Sequence, residues 1–72
     1  MTESDVVPFL TREWRQTAEI ARDVWDAEGH RGDFSMVRMR IAHTLSMMEK
    51  RGKAESMREQ KRGRPVLWRL AE

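Results

Sequence analysis

The side chains best placed for chemistry are cationic or hydrogen-bonding, and they gather in the second half of the chain. Arg38, Arg40, His43, Ser46, Lys50 and Arg51 fall in one stretch, and Lys61, Arg62 and Arg64 surround Gly63 further on. At neutral pH guanidinium and ammonium groups are donors and not nucleophiles, so this set suits holding an anion better than breaking a bond. Nothing pairs a nucleophile with a base, and no glycine-rich loop is built to cradle a phosphate, so an enzyme is not expected. His30 and His43 lack metal-ligand spacing and the chain has no cysteine, so neither a metal nor another cofactor is expected. Glu19, Asp23 and Asp26 share part of a helix face; a solvated acidic surface is the plainer reading than a cation site.

The charge behind this set is unevenly spread. Residues 1–33 carry four arginines against eight acids, a balance of −4, and residues 34–72 carry ten Lys or Arg against four acids, a balance of +6; together they give the net +2. A basic half on a nearly neutral chain suggests one face turned to a polyanion. The alternative is a solvated surface with both signs scattered, and the order of elements has to separate the two. Seventy-two residues make one domain near the lower limit for an unaided apolar core, so a large buried cleft is not expected. With no cysteine to form disulfides, a reducing cytoplasmic setting fits. The acidic opening MTESDVVPFL does not read as a secretory leader, and no apolar run is long enough to span a bilayer.

Four elements must position the basic groups. A short helix is expected near residues 4–12, capped by Ser4, with Val6, Val7, Phe9 and Leu10 on its apolar side. Pro8 is awkward beyond the first turn, and a single helix from residue 8 to residue 28 is the competing reading. A break at residues 14–16 is preferred, because Thr17 reads as a fresh cap for a second helix over 18–27 with Ile20, Ala21, Val24 and Trp25 in one stripe. Residues 28–33 form a loop, with Gly29 ending the helix. The third helix, 34–51, starts at a cap supplied by Asp33 or Ser35 and stops at Gly52. At ~100° per residue Phe34, Val37, Ile41, Leu45 and Met48 fall on one narrow stripe that must face the core. Arg38, Met39, Ala42, His43, Ser46 and Lys50 then take the side and outer face. Segments 53–58 and 66–70 flank a basic, glycine-containing loop and read as a hairpin, with Val66, Trp68 and Leu70 alternating against Leu67 and Arg69.

In that order the chain resembles the winged helix-turn-helix superfamily. The resemblance rests on Thr17-Ala18-Glu19-Ile20-Ala21 opening the second helix and on Ile41, Leu45, Met48, Glu49 and Gly52 closing the third. Gly63-Arg64-Pro65-Val66-Leu67-Trp68-Arg69-Leu70 resembles the last wing strand. It covers residues 4–71. The loop between the second and third helices is longer than the plain motif's turn, and Lys53 stands where a leucine is usual. The resemblance implies a mainly α fold with a small antiparallel β-hairpin, the recognition helix at 34–51 and the wing at 53–70. It implies a small transcriptional regulator that binds double-stranded DNA in the cytoplasm or on the nucleoid.

On that footing Arg38, Met39, Ala42, His43 and Ser46 face the major groove. Arg38 would donate two bonds to guanine, His43 and Ser46 would bond base edges, and Met39 or Ala42 would touch a thymine methyl. Arg40, Lys50 and Arg51 would position the helix on phosphates. The wing residues Lys61, Arg62, Gly63 and Arg64 would reach the minor groove or phosphates. Arg62-Gly63-Arg64-Pro65 matches the core of the AT-hook, in which glycine admits close backbone approach and arginines follow the negative potential of a narrow groove. A solvated hairpin tip is the plain alternative. Trp14, Trp25 and Trp68 are expected in packing and not as stacking platforms for unpaired bases. Against the DNA reading stand Met36, Met39 and Met47 toward the outer side of the third helix. Methionine is common at adaptable protein interfaces, and a winged helix used for assembly or inhibition is the rival. No added dimerisation helix is expected, so a homodimer would use the first helix or these methionines.

Overall fold

The computed structural model describes residues 2–58, 63 and 65–71. The chain begins with α1, Glu3–Val6, continues through a 3₁₀ turn, Val7–Phe9, and reaches a two-residue strand β1, Arg15–Gln16. Then come α2, Thr17–Ala27, α3, Phe34–Lys50, and the strands β2, Ala54–Met57, and β3, Leu67–Leu70. The sheet is antiparallel in the order β1-β3-β2.

The expected first helix over 4–12 is therefore shorter than its apolar pattern suggests. Its N-cap is Thr2 and not Ser4: the Asp5 carboxylate accepts the Thr2 backbone N–H at 2.8 Å and the Thr2 hydroxyl at 3.2 Å. Pro8 sits at the start of the 3₁₀ turn, where its missing N–H costs little, and the chain is extended by Leu10. Val6 and Leu10 enter the core while Val7 stays out.

The break expected at residues 14–16 is a strand. Arg15 pairs with Trp68 and Gln16 with Leu67, so the hairpin expected from the sequence is two strands of a three-stranded sheet. The Leu70 N–H donating to the Thr11 carbonyl at 2.7 Å prolongs the contact. Arg15 fastens this corner. Its guanidinium donates to the Phe9 carbonyl at 2.8 Å and to Asp23 at 2.6 Å, and Glu19 lies 3.8 Å away. Helix α2 opens at Thr17 with Gln16 as its cap residue. The Thr17 hydroxyl, expected to cap, instead accepts the Trp68 indole N–H at 2.8 Å and ties α2 to β3.

The six residues between α2 and α3 fold around Trp25. Gly29 and His30 both take positive φ, 76° and 62°, and the His30 N–H returns to the Trp25 carbonyl at 2.9 Å. Left-handed backbone is unusual for histidine. Its ring is held by stacking on Trp25, with centroids 4.3 Å apart, and by a hydrogen bond with the Asp26 carboxylate. Trp25 also donates to the Gly32 carbonyl at 3.3 Å and packs against Phe34.

Helix α3 runs unbroken, one residue short of the expected end. Asp33 caps it by accepting the Ser35 N–H at 3.2 Å. Gly52, at φ 74°, ends it in a left-handed turn that directs the Lys53 N–H to the Met48 carbonyl at 2.8 Å. Val37, Ile41, Leu45 and Met48 are buried together with Ile20, Ala21, Val24, Ala54 and Trp68, and Phe34 closes the edge half-buried. Thr44 is buried too, its hydroxyl donating to the Arg40 carbonyl at 2.9 Å. At the far end Glu3 receives Arg51 and Lys53, which staples α1 to the end of α3.

Candidate nucleic-acid interface

Packing of the stripe from Val37 to Met48 decides what the opposite side of α3 can offer. Arg38, Met39, Arg40, His43 and Lys50 are exposed, while Ala42 and Ser46 are half-buried. No acid occurs from Phe34 to Met48; Glu49, exposed at the helix end, accepts from the Ser56 hydroxyl. Among the described residues no carboxylate comes within ion-pair distance of Arg38, Arg40 or Lys50. Arg15, Arg51, Lys53 and Arg69 are each engaged with Asp or Glu. Arg51, expected to serve a phosphate, is thus spent on Glu3.

A groove of about 540 Å³ runs between α3, the start of α2 and the approach to β3. Arg38, Met39 and Ala42 form one wall, Gln16, Thr17 and Ala18 another, and Pro65 and Val66 the third. The predicted residues Arg38, Met39 and Ala42 thus meet in one place. A second hollow, about 340 Å³, is lined by Met39, Arg40, His43 and Thr44, so His43 opens on the other side of Met39. Ser46 and Lys50 lie further along the helix and line neither hollow. Gln16, Ala18, Pro65 and Val66 were not legible as site residues, because they come together only when β1 pairs with β3. Thr17 carried a signal as the start of α2, but for a cap and not for a groove wall.

Of the wing residues, Gly63 is exposed at φ 86°, and Lys61, Arg62 and Arg64 lie outside the described residues. Their anchors are clear. Met57 pairs with Leu67, so the loop leaves the sheet there, and Pro65 and Val66 bring it back along the groove wall.

The methionines expected to share one outer face divide. Met36 and Met39 are exposed and Met47 is half-buried. The hollow beside Met36 holds Glu28 and Asp33 as well as Arg31 and Arg40, so its charges are mixed, whereas no acid lines the hollows beside Met39. Trp68 is in the core and Trp25 packs against it; Trp14 is half-buried with the Arg69 guanidinium 4.3 Å above its ring. The α2 acids are largely engaged: Glu19 and Asp23 face Arg15, and Asp26 pairs with His30. Among the described residues no three metal-ligating side chains converge, and no helix is long and apolar enough to cross a membrane. Comparison with protein-family models, with curated proteins and with solved structures finds no match for this chain.

Proposed function

We propose that this chain is a winged helix-turn-helix domain that binds double-stranded DNA, as a small transcriptional regulator. Helix α3 is the recognition helix and the segment joining β2 to β3 is the wing. The observation that carries the reading is the exposed side of α3 along its acid-free stretch, Phe34 to Met48. Its Arg38 and Met39 stand exposed beside a groove shared with the start of α2 and the base of the basic loop, and His43 stands exposed at a second hollow across Met39. A helix face of this kind fits the major groove, where guanidinium and imidazole donors meet base edges and lysine at the helix end meets phosphate. The element order, two packed helices followed by an antiparallel hairpin, supports the fold on which the reading rests. Arg62 and Arg64, two residues apart in the loop, would add phosphate or minor-groove contacts.

The test is titration of labelled duplex DNA at several salt concentrations. Binding should weaken steeply, with a log–log slope of about −0.9 per phosphate neutralised. No binding to any duplex at low salt would reject the reading. The rival is a winged helix that docks a protein or a second copy through exposed Met36 and Met39; it predicts a stoichiometric partner and duplex binding indifferent to Arg38→Ala.

A further inference from the structure

Met39 is 72% exposed, against 55% for Met36, 40% for Val7 and 37% for Met57, the other large apolar side chains left open among the described residues. It borders both hollows on α3, so it stands as a ridge with Arg38 and Ala42 on one side and His43 on the other. A flexible thioether surrounded by cations and donors, on a helix stretch without acids, calls for an apolar spot within a polyanionic surface. The prominent apolar group of the major groove is the methyl on pyrimidine C5; most other base-edge positions there are hydrogen-bond donors or acceptors. Met36 is less suited to this role, because the hollow beside it pairs Arg31 and Arg40 with Glu28 and Asp33, whereas no acid lines either hollow beside Met39.

We infer that Met39 reads the C5-methyl group of a pyrimidine, thymine or 5-methylcytosine, and so sets base preference at one position of the site. The inference rests on the DNA reading above. The contact is apolar and forms no covalent bond. It complements the donors of Arg38 and His43, which recognise polar base edges and gain nothing from a methyl group.

The experiment uses the full chain and a duplex enriched by it from a random pool. Each thymine is replaced in turn by deoxyuridine, which removes only the methyl, and in a second arm each cytosine by 5-methylcytosine, which adds only a methyl. Loss of one methyl contact is expected to weaken binding about fourfold, equivalent to ~0.8 kcal/mol, at a single position. A deoxyuridine effect alone identifies thymine as the source, and a 5-methylcytosine gain identifies the methylated base. Met39→Ala, at an exposed site where folding is not at stake, should bind duplexes with and without the methyl alike, each about as weakly as the natural chain binds the methyl-free one. Indifference of the natural chain to both substitutions at every position overturns the inference, as does a methyl preference that survives in Met39→Ala. Absence of all duplex binding removes the DNA reading as well, whereas duplex binding with methyl indifference removes only the role of Met39.

Discussion

Trp68 is 3% exposed, and its indole N–H donates to the Thr17 hydroxyl at 2.8 Å. One ring thus fills the core beneath the sheet and fixes where α2 begins. Trp68→Phe keeps most of the packing and removes the donor. A cost of about 1–2 kcal/mol is expected from the lost hydrogen bond and the smaller ring. Urea unfolding of Trp68→Phe, Thr17→Ala and the double variant would measure the bond as a coupling of about 1 kcal/mol; additive losses would mean the contact contributes nothing. At the other end of the chain the backbone N–H and then the hydroxyl of Thr2, both donating to Asp5, hold its carboxyl below the usual 3.8. A lowered pKa in the folded state means that the contribution is complete above the unfolded value and fades as pH falls through the lower folded one. Acid titration followed by the Thr2 and Ser4 amide NMR shifts should therefore reveal a transition below about pH 4 that Asp5→Asn lacks. The same transition in that variant would assign it to another group.

Helix α3 depends on its ends as much as on its stripe. At its C-terminus Gly52 holds φ 74°, and a β-carbon there would meet nothing within 4 Å. Gly52→Ala therefore tests backbone conformation without a clash. The expected loss is about 1 kcal/mol, with Gly52→Asn losing less because asparagine tolerates the left-handed region. Equal losses in thermal unfolding for both would point to a cause other than φ. This turn matters beyond stability, because it sends the chain from the last turn of α3 directly into β2 and so sets where the sheet stands relative to the exposed helix face.

Across the whole molecule the cations have two employments. Arg15 holds the 3₁₀ turn, β1 and α2 together, and Arg51 with Lys53 joins α1 to the end of α3. Arg38, Arg40 and Lys50 have no such partners among the described residues. Arg15→Met should therefore destabilise the fold, by about 1–3 kcal/mol for a partly buried guanidinium that loses both a carbonyl and a carboxylate. Arg38→Ala should leave stability within about 0.5 kcal/mol and, on the proposed reading, relax base preference. Chemical denaturation run beside duplex binding would separate the two. A reversal, with Arg38 needed for folding and Arg15 only for DNA, would dismantle this division.

The sequence alone determined what depends on neighbours along the chain. The run of α3 and its buried stripe followed from helical period and its stop from Gly52, while its cap was narrowed to Asp33 or Ser35, of which Asp33 serves. The outward placing of Arg38, Met39, His43 and Lys50 followed from the same period, since a helix that buries one side must expose the other, whereas Ala42 and Ser46, expected beside them, are half-buried. Tertiary structure decided what depends on distant partners. An apolar run at the N-terminus suggested a full first helix, but the chain leaves the 3₁₀ turn at Leu10, bends at Arg12 and Glu13, and pairs Arg15 and Gln16 with β3, which adds a third strand. That same pairing took Thr17 from capping to binding Trp68, fifty-one residues away. It also assembled the groove in which Arg38 and Met39 face Gln16, Pro65 and Val66. Two residues of strand carry too little periodicity to be read locally, because their conformation is set by hydrogen bonds to a partner that only folding supplies.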